Sequence, residues 1–158
     1  MKEIIILGRG GQGGKSAAQI IALAASKKNY VQAFPEYGPE RTGAPTKSYV
    51  RISDKPIRAC EPLTEADYII IIDNSLTAEG LKLKKGGKLL INSEKEIPAT
   101  KIAEKILGAN KPNIAMLGAF TKISGTNKND MIWAINEVFG KKISKELLEK
   151  NIKAFEEG

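Results

Sequence analysis

The residues best placed to do chemistry in this chain are GRGGQGGKS, positions 8–16. Gly8, Gly10 and Gly13 have the G-x-G-x-x-G spacing that lets a backbone turn approach a dinucleotide pyrophosphate, and Gly14, Lys15 and Ser16 are the residue types that close a phosphate-binding P-loop. Each motif makes a further demand. The dinucleotide reading needs an acid about 20 residues on, at the end of a second strand, to hold a ribose. Glu36, between Pro35 and Tyr37, is the candidate. The P-loop reading needs glycine five residues before the Gly-Lys pair, and that position holds Arg9. Asp73, at the end of DYIIIID (67–73), stands where P-loop enzymes place a magnesium ligand. An acid is equally ordinary where a parallel strand leaves a sheet. Neither motif is complete.

A second stretch carries more than a connection requires. PEYGPERTGAP (35–45) holds three prolines, two glycines and an adjacent Glu40–Arg41 pair. Its prolines limit the shapes the free chain can take, so holding it in one shape costs little entropy. The four arginines, Arg9, Arg41, Arg51 and Arg58, all lie in the first 58 residues. Arginine is the better residue for rigid, bidentate contacts to carboxylate or phosphate.

Composition removes several classes of function. There is no histidine, hence no histidine general base, no triad built on one and few zinc sites. Cys60 is the single cysteine, which excludes an internal disulfide and a cysteine-ligated cluster. It follows Arg58 and Ala59 beside Glu61 and reads as an inert thiol. The net charge of +7 comes mostly from lysine mixed with glutamate in segments such as KIAEKIL and SKELLEKNIKAFEE. That pattern marks solvated helix faces rather than a nucleic-acid surface. No apolar run reaches membrane-spanning length, and the N-terminus lacks the features of a signal peptide. A cytoplasmic protein with no nucleic-acid or membrane partner is the expectation.

The elements that must position these loops follow from apolar periodicity. KEIIILG (2–8) reads as a buried central strand, GKSAAQIIALAASKK (14–28) as a helix and YVQAF (30–34) as a second strand. KSYVRIS and KPIRACE, flanking Asp54 and Lys55, predict a hairpin over 47–61. DYIIIID and GGKLLINS (86–93) are further strands, and 97–108, 128–140 and 144–157 are helical. Residues 113–125 fit a strand or a buried helix equally, and Trp133 falls on an apolar helical face as core. The order predicts one α/β domain over 1–158. Its sheet is Rossmann-like and mostly parallel, with helices on both faces and an antiparallel hairpin insertion.

GRGGQG at 8–13, QAFPEYGPERTGAP at 32–45 and VRISDKPIR at 50–58 together resemble the gamma subunit of 2-oxoacid:ferredoxin oxidoreductases, nearest the pyruvate synthase and 2-oxoisovalerate branch. The resemblance is strongest over residues 3–75. It implies a place in the coenzyme A-dependent oxidative decarboxylation of a 2-oxoacid, with electrons passed to ferredoxin. It implies no cofactor in this chain. Thiamine diphosphate, Mg and [4Fe-4S] clusters would lie on partner alpha, beta and delta (ferredoxin-like) subunits, with coenzyme A as co-substrate. No catalytic residue and no metal ligand is carried over. Gly8, Arg9, Gly10, Gly11, Gln12 and Gly13 match the family's glycine turn. Gly38, Pro39, Glu40, Arg41, Thr42, Gly43, Ala44 and Pro45 match its second loop, and both read as binding or subunit-interface loops. Two other readings stand beside this one: a free-standing nucleotide-binding enzyme, and an adaptor without oxidoreductase partners.

Overall fold

A computed structural model describes residues 1–36 and 42–158. Its centre is β1 (Lys2–Arg9), in which Ile4, Ile5, Ile6 and Leu7 are all buried because both faces of the strand are covered. Around it lie β2 (Tyr30–Pro35), β3 (Pro45–Ser53), β4 (Glu65–Ile71) and β5 (Lys82–Ile91), in the order β2-β3-β1-β4-β5. β4 runs parallel to both β1 and β5, whereas β3 is antiparallel to both β1 and β2. The α/β class is as expected, with the sheet mixed.

The helices are α1 (Gly14–Ser26), α2 (Ala99–Leu107), α3 (Asn113–Ser124), α4 (Lys128–Phe139) and α5 (Lys145–Glu157). Side chains alternate across the strands, so Ile4, Ile6, Val50, Ile70, Ile72 and Leu90 join residues of all five helices in one core. Ile5, Leu7, Tyr49, Ala66, Ile69 and Ile71 form a second core on the opposite face. No helical residue belongs to that second core. It is closed by Leu63, Leu76, Ala78 and Leu81 from connecting segments. The expected helices on both faces are therefore corrected to helices on one. The periodicity that marks a helix as amphipathic does not say which sheet face it covers.

The hairpin expected at 47–61 is also corrected. β3 is real, but KPIRACE forms no strand. Pro56 offers no N–H to a ladder, and the backbone that follows is held by side chains instead. Arg51, 2% exposed, donates to the carbonyl oxygens of Glu61 (2.7 Å) and Ala59 (3.5 Å), and Gln32 donates to Ala59 O at 2.9 Å. Glu3 (3.1 Å) and Gln32 Oε1 (2.9 Å) also accept from the arginine, and the Glu61 carboxylate lies 3.9 Å away. The antiparallel partners of β3 are β1 and β2.

The ambiguous segment 113–125 is the helix α3, buried continuously from Asn113 to Thr121. A helix enclosed on every side has no polar stripe to reveal its period. Gly118 faces the Phe155 carbonyl of α5 so closely that a Cβ there would overlap it. Trp133 packs against the main core with Lys27 Nζ 4.3 Å from its ring centroid.

Candidate functional site

The glycine turn follows the C-terminal end of β1, in the middle of the sheet, where α1 begins. Gly11 (φ 91°) and Gly13 (φ 82°) are left-handed, a conformation that glycine adopts without Cβ strain. Gly13 caps α1, and Asn113 at the start of α3 donates to its carbonyl at 3.3 Å. A Cβ on Gly13 would collide with the Asn113 amide.

The two loops singled out by sequence meet here. Gly10 N–H donates to Ala44 O at 2.8 Å and Gly43 N–H to Gly10 O at 3.1 Å. Thr46 Oγ1 donates to Gly8 O at 3.2 Å. Thr42, Gly43, Ala44 and Pro45 are thus brought against Gly8, Arg9 and Gly10, because β3 enters the sheet beside β1 with Pro45 opposite Arg9. Gly38, Pro39, Glu40 and Arg41 lie outside the described residues.

A third segment, beyond the end of β4, locks the arrangement. Arg9 donates to Ser75 Oγ through Nε (3.2 Å) and Nη2 (2.8 Å), and to Gly43 O through Nη1 (3.1 Å). Its Nε is 3.5 Å from Asp73 Oδ2. Gln12 bridges the same groups: its Oε1 accepts from Arg9 N–H at 2.7 Å and its Nε2 donates to Asp73 Oδ2 at 2.7 Å. Burial by itself would raise the Asp73 pKa. The hydroxyl and N–H of Ser75, the Gln12 amide and the Arg9 charge outweigh it and hold the carboxyl below the usual carboxylate range. Asp73 and Ser75 lie more than 60 residues from the turn they hold, and no local pattern in the sequence points from one to the other.

A cleft of about 670 Å³ opens beside the joined loops. One wall is the turn and the first residues of α1, and another is Phe139, Ile143 and Leu147. Among the described residues, Arg9, Lys15, Lys47 and Lys111 line it against one acid, Glu36. Lys47 lies 3.6 Å from Glu36, which also accepts from the Tyr49 hydroxyl at 3.1 Å. Lys15 and Lys111 make no ion pair with a described residue.

Residues 3–158 match the family model of pyruvate ferredoxin/flavodoxin oxidoreductase. The chain belongs to this family. The common gamma subunit of the pyruvate/ketoisovalerate oxidoreductases of Thermococcus kodakarensis is 42% identical, over 99% of this chain and 95% of that one. The pyruvate synthase subunit PorC of Thermotoga maritima is 37% identical, over 99% and 92%. In the crystal structure of the PORC subunit of pyruvate oxidoreductase from Thermotoga maritima the fold recurs with a TM-score of 0.81 and 34% identity, covering 99% of this chain and 94% of that one. The gamma subunit of a keto/oxoacid ferredoxin oxidoreductase from Geobacter sulfurreducens matches with a TM-score of 0.77 and 27% identity, over 99% and 93%.

Within this family fold the nucleotide motifs lose their support. β3 separates β2 from β1, so Glu36 does not end a strand adjacent to the glycine turn. The N–H groups of Arg9, Gly10 and Gln12 are taken by Gln12 Oε1, Ala44 O and Arg9 O. Asp73 is committed to Ser75, Gln12 and Arg9 rather than offered to magnesium. No group of three or more His, Cys, Asp or Glu among the described residues could hold a metal ion. Cys60, exposed and single, cannot supply the four thiolates of an iron–sulfur cluster. No helix of the described residues is long and apolar enough to cross a membrane.

Proposed function

We propose that this chain is the gamma subunit of a multi-subunit 2-oxoacid:ferredoxin oxidoreductase. The complex converts pyruvate or a related 2-oxoacid and coenzyme A to acyl-CoA and carbon dioxide, with ferredoxin as electron acceptor. The observation that carries the reading is the family match over nearly the whole chain, with its glycine turn joined to residues 42–45 of the second loop. Relatives named as pyruvate/ketoisovalerate common gamma subunit and as pyruvate synthase subunit support the same assignment.

In this reading the chain is one domain over 1–158, works in the cytoplasm and holds no cofactor. Alpha, beta and ferredoxin-like delta subunits hold thiamine diphosphate with Mg and the [4Fe-4S] clusters. Bound there, those groups supply carbanion stabilisation and electron removal. This chain supplies a shaped surface. Gly8–Gly13 and Gly38–Pro45 are its contact loops, and Arg41 pairs across the interface with a carboxylate or phosphate. The neighbouring cleft has cations on one side and apolar side chains on another, which suits an anionic co-substrate with an apolar arm, as coenzyme A is.

The test is purification of the native complex without oxygen, identification of the co-purifying chains, and assay of 2-oxoacid- and coenzyme A-dependent viologen reduction. Partners bearing thiamine diphosphate and iron–sulfur clusters, with that activity, would support the reading and reveal the substrate. A chain that purifies without such partners and without activity refutes it. Arg41→Ala is expected to weaken assembly or turnover and leave the isolated fold intact. Unchanged composition and kinetics would remove Arg41 from the interface.

A further inference from the structure

The sheet has two free ends, β2 and β5, and they are built differently. β5 reads KLKKGGKLLI, with Lys82, Lys84, Lys85 and Lys88, and its ladder with β4 is irregular between Ala66 and Tyr68. Lysines and bulges are what proteins place on an edge that must not acquire another strand. β2 reads YVQAFP. It has no charged side chain, and its register with β3 is unbroken from Tyr30 to Pro35.

The direction of the β2 backbone groups follows from that register. Glu36 N–H donates to Lys47 O at 2.8 Å, which sets the phase of the antiparallel ladder. Residues 34, 32 and 30 then exchange hydrogen bonds with β3, and Val31 and Ala33 point their N–H and C=O groups away from the sheet. Neither outward N–H has a partner among the described residues. Tyr30, 54% exposed, stands at the start of the same edge.

We infer that β2 pairs antiparallel with β2 of a second copy of this chain, about a twofold axis at Gln32. In that register Val31 of one copy lies opposite Ala33 of the other. The two such pairs exchange four N–H···O bonds, satisfying every outward N–H. Tyr30 comes opposite Phe34 of the second copy, an aromatic cross-strand pair of the kind that stabilises sheets. No like charges meet, whereas β5 paired with itself would crowd its lysines together. A six-residue edge is a small interface, so association depends on concentration. This inference does not depend on the assignment to an oxidoreductase.

The test is light scattering and sedimentation of the full chain from micromolar to near-millimolar concentration, with amide exchange followed across residues 30–35. Dimer at high concentration, with slowed exchange of Val31 and Ala33, is the expected result. Ala33→Pro removes two of the four intermolecular bonds and none from the β2–β3 ladder, and weakens association roughly thirtyfold. Ala33→Lys, at an exposed position, puts on β2 the kind of charge that guards β5 and gives the same loss with an unchanged melting temperature. It decides the matter if the proline variant fails to fold. A monomer at every concentration overturns the inference, as does a dimer that survives Ala33→Lys. Protection of β2 only when other subunits are added also overturns it, since the edge would then belong to a partner chain.

Discussion

Gln12→Glu tests the lock between the two loops with a change of one atom. The wild-type amide accepts from Arg9 N–H through Oε1 and donates to Asp73 Oδ2 through Nε2, each at 2.7 Å. A carboxylate can keep the first bond but turns the second into two negative oxygens in contact. At an effective dielectric constant of about 20 that repulsion approaches ~6 kcal/mol, so the pair would rather retain a proton. Holding one at pH 7 on a group with an ordinary pKa near 4.3 costs about 4 kcal/mol, and this caps the penalty. The protonated carboxyl then donates to Asp73 as the amide did. The variant should therefore be destabilised by about 3–4 kcal/mol at pH 7, and the gap to wild type should close by about 1.4 kcal/mol per pH unit on acidification. The sign follows from linkage: a carboxyl whose folded pKa is raised favours the folded state at low pH, and that contribution is lost as pH rises through the folded value. Denaturant unfolding of both proteins between pH 7.5 and about 4.5 measures it. A gap that is small at pH 7, or constant across that range, would show that Gln12 does not hold Asp73.

Two further outcomes follow from the second face of the sheet. Arg51→Ala leaves Glu3, 14% exposed at its side chain, to Lys84 alone, takes the donor from Glu61 O, and leaves Ala59 O to Gln32. A loss of about 2–3 kcal/mol is expected, with faster proteolysis near residues 56–61, and a loss below about 1 kcal/mol would refute the clamp. Tyr49 is pushed up from 10.0 to about 12 by burial, and by its hydrogen bond to and repulsion from Glu36. The folded protein thus keeps the phenolic proton more tightly than the unfolded chain does. That contribution is complete below pH 10 and fades as pH climbs toward 12, by about 3 kcal/mol in all. Tyr49→Phe should flatten this alkaline limb of the stability curve, and an unchanged limb would locate the titration elsewhere.

The strands were legible from sequence where local pattern and tertiary role agree. EIIIL and DYIIIID are apolar without interruption because both faces of β1 and β4 are buried, and such a run is visible in any single sequence. Residues 113–125 show the limit of the same signal, since continuous burial erases the period that separates helix from strand. KPIRACE resembled a strand by composition, and the carbonyl clamp made by Arg51 overrode that local preference. The glycine turn is plain in the sequence, but its spacing fits incomplete dinucleotide and P-loop motifs alike, and the second loop is what gives it a family. The reason is physical: a left-handed glycine turn permits close approach, whether the visitor is a pyrophosphate or, as here, another stretch of backbone.

By itself the sequence determined the α/β class, the absence of histidine chemistry and the pair of loops that marks the family, because these reside in residue type and short-range spacing. Tertiary structure decided what the loops do to one another. The antiparallel β3 puts Pro45 beside Arg9, and the chain returns after β4 with Asp73 and Ser75 to bind Arg9 and Gln12. It also decided that five helices share one face of the sheet, leaving connecting segments to close the other. These are contacts between residues tens of positions apart. Hydrophobic periodicity says that a face must be covered, and only the path of the whole chain says by what.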